Sequence, residues 1–361
     1  MSSTAESNNQ DAASASASST TTTTAAVDST FINKNKNTTT RRMPTAVFMI
    51  GMAGTGKTTL TQRINHYILG GDNDDDDSND DNDDEDQNIA NKNRNEQAEK
   101  IMKRSYFINI DPAVLDVPFA ANIDIRDTVS HKEVMKKFRL GPNGAIMTSL
   151  NIFATKVNEV LSLIEKRALE DEEGLDYVFI DTPGQIEVFT WSASGQMITE
   201  AFAATMPTTM LFIADTVRCV NPQTFMSTML YSCSVMYKSQ LPLCIVFNKC
   251  DATDGSRVTQ WMEDSESFSL ALKAHNSFSA TLSDSLSLFM GEYYRNIAHV
   301  SVSALEGNGM RDLFRAIEEA REKFISEYEP IIQKRMKVQE EMRMERAKKD
   351  AEMLEKDVMK K

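Results

Sequence analysis

The sequence predicts an α/β fold, a mostly parallel sheet with helices on both faces, and three observations predict it. Strand-like apolar runs at residues 45–50, 105–110, 177–180, 209–214, 243–247 and 297–302 are separated by stretches of helical length. Connections of that length fit right-handed crossovers between parallel strands rather than hairpins. A composition of 41% hydrophobic and 25% charged residues over 361 positions can supply a sizeable core.

The elements follow in order. Residues 1–43 are rich in Ser, Thr and Ala and end in Arg41 and Arg42. With early acids at Glu6 and Asp11 they suit a disordered tail better than a transit peptide. Strand 45–50 ends in glycine and leads into a helical segment at 57–69. Residues 70–99 are almost entirely Asp, Asn and Glu, a composition that cannot bury enough apolar surface to offset ordering entropy, so an acidic disordered insertion is expected. Strand and helix then alternate through residue 328. The Ser-rich stretch 253–287 is expected to add helices before the last strand. Residues 329–361 are Lys, Arg, Glu and Met with opposite charges three or four apart, which predicts a charged, solvated C-terminal helix. The domain proper is therefore expected at 44–328.

Bulk properties exclude some classes. The net charge of -14 opposes nonspecific grip on a nucleic-acid backbone, although eleven acids between Asp72 and Asp86 account for most of it. Cys219, Cys233, Cys244 and Cys250 match no zinc spacing and are expected to be reduced thiols. No run approaches the roughly 18 apolar residues of a membrane span, and the N-terminus lacks the layout of a secretory signal. A soluble intracellular protein is expected.

The chemistry begins at Gly51, Met52, Ala53, Gly54, Thr55, Gly56, Lys57 and Thr58. Glycine, four residues, then Gly-Lys-Thr between a strand and a helix is a phosphate-binding loop. Its glycines let backbone N–H groups point at phosphates, and the helix N-terminus adds a favourable dipole. Lys57 is expected to reach the β and γ phosphates, Thr58 to place its hydroxyl on Mg²⁺, and Thr59 to add a phosphate contact. Asp181 closes another strand and is placed as the second magnesium anchor. The run Asp181-Thr182-Pro183-Gly184-Gln185 matches a GTPase switch, with the Gly184 N–H sensing the γ phosphate and Gln185 orienting the attacking water.

Base choice falls to Asn248-Lys249-Cys250-Asp251. A carboxylate at Asp251 can accept from the N1–H and exocyclic amine of guanine, donors that adenine lacks on that edge. Asn248 would brace the loop, Lys249 would lie along the base plane, and Ser303 and Ala304 would complete the pocket, with the Ala304 N–H toward the guanine carbonyl. Asp111, in Asn109-Ile110-Asp111-Pro112-Ala113, puts a carboxylate at a strand end where it can hold or activate water. Gly141-Pro142-Asn143-Gly144, taken alone, is a β-turn pattern.

Together these motifs, with Asp124-Ile125-Arg126-Asp127 and the stretch from Leu140 to Asn151, resemble the GPN-loop GTPases over about residues 45–325. Their form is most similar to the first eukaryotic paralogue, a branch linked to assembly and nuclear import of RNA polymerase II. The resemblance implies a P-loop NTPase of the SIMIBI class using GTP and Mg²⁺. It implies a dimer, here with another GPN-loop GTPase, in which Asn143 reaches the opposing subunit's nucleotide. A catalytic water would lie near Asp111 and Gln185. Because Met52-Ala53 stand where MinD-type ATPases carry a signature lysine, the group acting across the dimer would be Asn143. RNA polymerase II as client and shuttling between cytoplasm and nucleus follow from the same resemblance, with no direct nucleic-acid or membrane contact.

Two other readings share the architecture. A metallochaperone-type GTPase would need a Cys/His metal site, and only four histidines are present, none at ligand spacing beside a cysteine. A nucleotide-binding scaffold without turnover would lack working roles for Asp111 and Gln185.

Overall fold

Every residue of strand Thr45–Gly51 (β1) is buried, which requires apolar cover on both of its faces. Side chains alternate along a strand, and they do so here between two separate cores. Ala46, Phe48 and Ile50 join one core, and Val47 and Met49 join the other. The second core is closed by helices Lys57–Ile68 (α1), through Leu60, Ile64 and Ile68, and Met310–Lys323, through Met310, Leu313 and Ile317.

The computed structural model describes residues 42–70, 104–170, 174–273, 293–294 and 297–358, which lie within one unit, Asn37–Lys361. All but Arg42 and Met43 of the expected N-terminal tail, and all but Gly70 of the acidic insertion, fall outside the described residues. After α1 come strands Ser105–Asn109 (β2) and Ile123–Asp124 (β3), then helices Ile125–Thr128 (α2), His131–Phe138 (α3), Pro142–Ala154 (α4) and Val157–Glu170 (α5). Strand Tyr177–Asp181 (β4) leads to helices Ile186–Thr190 (α6) and Ala193–Thr205 (α7). Strand Thr208–Asp215 (β5) is followed by helices Thr216–Cys219 (α8) and Pro222–Ser239 (α9), and strand Leu243–Asn248 (β6) by Ser256–Glu263 (α10) and Ser265–Lys273 (α11). Strand Ala298–Ser301 (β7) precedes Met310–Lys323, here α12.

All pairings are parallel, in the order β3-β2-β4-β1-β5-β6-β7. The chain steps outward from β1 to β2 and β3, returns to place β4 beside β1, and then builds β5 to β7 on the other side. Such a reversal opens a crevice at the carboxyl ends of the central strands. Phe225 of α9 packs against Phe247, Trp261, Phe268 and Tyr294, which fixes α10 and α11 to the sheet through one aromatic cluster.

Gly141 to Gly144 do not form the β-turn their composition suggests. Gly141 is the N-cap of α4, and Pro142 takes its first position. A first helical residue needs no N–H partner and tolerates proline's fixed φ. The buried face that follows, from Ala145 and Ile146 through Leu150 and Phe153, supplies the packing that makes this a helix.

Helix α12 continues through a π-type turn, Phe324–Tyr328, into the 30-residue helix Glu329–Val358 (α13). Along it Lys349 and Glu345 pair one turn apart at 2.8 Å. Among the described residues no helix is long and apolar enough to cross a membrane.

Candidate active site

Sheet register lines up polar residues along the carboxyl edge. Asn109 lies beside Asp124 on one side and Asp181 on the other, Gly51 pairs with Ile213, and Asp215 pairs with Asn248. Strands β2, β4, β5 and β6 end in Asn109, Asp181, Asp215 and Asn248, so this edge carries polar side chains whose backbones the sheet holds still.

The phosphate loop hangs between β1 and α1. A Cβ at Gly51 would come within 2.5 Å of the Ile213 carbonyl oxygen, so the loop passes the neighbouring strand closely enough to require glycine. Gly56 has φ 91°, and a Cβ there would also meet Asn248 Nδ2 at 2.5 Å. Thr55 Oγ1 closes the loop on the Met52 carbonyl at 3.0 Å. Lys57, buried, turns back and donates to the carbonyls of Gly51 (2.9 Å) and Met52 (3.1 Å). Thr58 Oγ1 donates to Asp181 Oδ2 at 2.7 Å, joining the two expected magnesium anchors. Ala53, Gly54 and Thr59 are exposed. Gly184 faces the loop, since a Cβ there would lie 3.7 Å from Ala53 and 3.9 Å from Lys57 Nζ.

Burial dominates the electrostatics. It pulls the Lys57 ammonium below its ordinary value, opposed by the carboxylates of Asp181 and Asp111. It pushes Asp181 up to about 6, against the Thr58 hydrogen bond and the Lys57 charge, with Asp111 adding to the rise. Asp111 is therefore close enough to both groups to bias them.

The Asp111 backbone is clamped by Asn109. The Asn109 Oδ1 accepts from the Asp111 N–H at 3.0 Å, and its Nδ2 donates to the Asp111 carbonyl at 3.3 Å and to Asp124 Oδ1 at 3.0 Å. Arg126 reaches both Asp124 oxygens, with its Nη2 at 2.7 Å from Oδ2, and ties the far end of the loop through the Leu115 carbonyl. Burial would raise the Asp124 carboxyl, but hydrogen bonds from Arg126 and Asn109 outweigh it and leave the group below its usual range. Gln185 is half-buried at the N-cap of α6. Asn143 is exposed in the first turn of α4 and is not part of this bonded group.

Across the loop, Asn248 ties the phosphate loop to the segment after β7. Its Nδ2 donates to the Thr55 carbonyl at 2.9 Å, and its Oδ1 accepts from the Ala304 N–H at 3.1 Å. The Ala304 amide, expected to face a guanine carbonyl, is thus engaged by Asn248 here. Asp251 is exposed, with Oδ1 accepting from the buried Ser303 hydroxyl at 2.7 Å. Lys249 donates to the Gly54 carbonyl (2.7 Å) and to Asp215 (2.8 Å). Two of these partners escape sequence reasoning. Arg63, on α1, donates to the Ala304 carbonyl at 3.0 Å, and Asp215 meets Lys249 only because β5 and β6 are neighbours.

A family described as "Conserved hypothetical ATP binding protein" matches residues 93–323. The chain is 43% identical over 317 residues to GPN-loop GTPase 1 of Dictyostelium discoideum, covering 88% of this chain and 72% of that protein. It belongs to the GPN-loop GTPases. To GPN-loop GTPase QQT2 of Arabidopsis thaliana it is 57% identical over 223 residues, a match spanning 62% of this chain and 58% of that relative's length. The fold is shared with a GTPase from Pyrococcus abyssi solved in its apo form, at a TM-score of 0.59 and 24% identity, over 76% of this chain and 97% of that one. As a GPN-loop GTPase the chain carries Gly141-Pro142-Asn143 at the start of α4 and is a GTP hydrolase. The family description names ATP, whereas the relatives are named GTPases and Asp251 presents a carboxylate suited to guanine.

Proposed function

We propose that the chain binds GTP with Mg²⁺ and hydrolyses it to GDP and phosphate as one half of a dimer with another GPN-loop GTPase. The observation that carries this is the convergence of Lys57, Thr58, Asp181 and Asp111 at one strand-end crevice, with Gly184 against the loop. Thr58 and Asp181 fit Mg²⁺: both offer hard oxygens, and Asp181 Oδ1 is buried without a hydrogen-bond partner. When bound, that ion supplies positive charge for the β and γ phosphate oxygens.

The chain's own residues then divide the work. Lys57 leaves the loop carbonyls for the phosphates, a short move for a side chain already inside the cradle. Gly184 offers its N–H to the γ phosphate, and loss of that phosphate releases the segment that leads into α6. Asp111, its backbone clamped, and Gln185 orient the attacking water. Asn143 is exposed on its helix, as a group that acts on the opposing subunit's nucleotide has to be. Asp251, held by Ser303, selects guanine.

The finer reading is an assembly factor whose dimer changes shape on hydrolysis, with RNA polymerase II as client, working in the cytoplasm and shuttling to the nucleus. Its support is the form of the motifs from Asn109 to Asp251 and the similarity to relatives named GPN-loop GTPase 1.

Binding and single-turnover assays test the site. GTP is expected to bind far more tightly than ATP, and equal affinities would overturn the guanine assignment. Asp111→Ala and Gln185→Leu are each expected to slow cleavage by about 10²-fold or more, and if neither does, the catalytic roles are wrong. Affinity purification of the wild type and of Asn143→Ala, with the co-purified proteins identified, tests the partner and client.

A further inference from the structure

Lys249 carries its backbone in the left-handed region, at φ 71°. That conformation is costly for a residue with a Cβ and persists only where the surroundings over-determine it. Here the ammonium is held twice, by the Gly54 carbonyl of the phosphate loop at 2.7 Å and by Asp215 Oδ2 at 2.8 Å. Asp215 is itself fixed. It ends β5 beside Asn248, its carboxylate is 6% exposed, and its Oδ1 accepts from the Val217 N–H at 3.1 Å as the N-cap of α8. The next residue adds a second tie, since the Thr216 hydroxyl donates to the Asn248 carbonyl at 2.7 Å. A weaker ion pair to Arg218, at 3.6 Å, completes the surroundings of this carboxylate.

We infer that Asp215 is a positioning residue for guanine-nucleotide binding: it holds the Lys249 side chain in the orientation that makes one wall of the base pocket. A lysine stem has many rotamers, and fixing it before the nucleotide arrives removes that ordering cost from binding. The carboxylate is the only anion bonded to this ammonium among the described residues. The inference rests on the proposed guanine site, since Lys249 is a base wall only if Asp251 and Ser303 receive a base.

Asp215→Asn separates the roles. Asparagine keeps the cap of α8 through its carbonyl oxygen but turns an amide N–H₂ group toward Lys249. Calorimetric titration compares GDP, which needs the base wall, with inorganic tripolyphosphate, which needs only the phosphate loop. GDP affinity is expected to fall about ten- to a hundredfold, and tripolyphosphate affinity to change by no more than about twofold. In a Lys249→Met background the same change is expected to cost GDP affinity no more than about twofold. Equal losses for the two ligands, or full additivity with Lys249→Met, would overturn the inference and leave Asp215 a structural cap. Asp215→Ser, which also caps, serves as the second variant if the asparagine protein does not fold. Wild-type protein that binds ADP as well as GDP would instead remove the guanine site on which the inference stands.

Discussion

Thr58 and Asp181 lie 123 residues apart in sequence and meet at 2.7 Å, the threonine hydroxyl donating to one carboxylate oxygen while the other is buried and unpartnered. Asp181→Asn keeps the volume and removes the charge. Magnesium-dependent GTP affinity is expected to drop about 10- to 100-fold, the range for a disturbed metal site, while GDP binding in chelator changes far less. Nucleotide titrations with and without Mg²⁺ read both, and equal losses in the two conditions would remove Asp181 from the metal site.

Arg126→Met should weaken the protein in a pH-dependent way. Asp124 is held below the usual carboxylate range, so its pairing stabilises the fold in full above about pH 4 and loses that effect as pH falls through the lowered value. Arg126 is 32% exposed and Asp124 10%. The loss at neutral pH is therefore expected near 2 kcal/mol, about half that of a fully buried pair. Urea midpoints at neutral pH and near pH 3 check it, with the gap between wild type and variant expected to narrow in acid.

Cys219 and Cys244 should be inert in the folded protein. Burial pushes Cys219 up to about 11 and Cys244 up to about 12, so almost no thiolate exists near pH 8. Iodoacetamide followed by mass spectrometry is expected to label both only after denaturant is added. Rapid labelling of the native chain at either position would show that the core around β6 or α8 opens readily.

Gly195→Ala tests the junction behind the switch. A Cβ there would lie 1.9 Å from the Phe189 carbonyl oxygen, so α6 and α7 cannot keep their present spacing. Overpacking against backbone costs about 1–3 kcal/mol or more. Denaturant unfolding measures the cost, and a variant as stable as the wild type would mean that α6 shifts freely.

The phosphate loop, the Asp181 segment and the Asn248 segment were legible because each is a short run whose chemistry needs neighbours in sequence. Asp215 and Arg63 were not, since their partners Lys249 and Ala304 come from other elements and depend on strand order and helix placement. Gly141 to Gly144 show the opposite error. Their local preferences suit a turn, and only the apolar face from Ala145 to Phe153, buried in the tertiary structure, decides for a helix. The six apolar runs located six of the seven strands. The two-residue strand Ile123–Asp124 is too short to leave a periodic signal, and it exists by pairing with Ile108 and Asn109.

The place where the acidic stretch joins the sheet has a practical consequence. The described chain leaves at Gly70, past the end of α1, and resumes at Arg104, whose carbonyl accepts from the N–H groups of Asp176 and Tyr177 at the start of β4. Both ends therefore open on the amino rim of the sheet, the side away from the nucleotide. A fluorophore or affinity handle grafted into that segment would join the fold at the rim opposite the phosphate loop, and GTP turnover of the tagged chain is expected to match that of the untagged one.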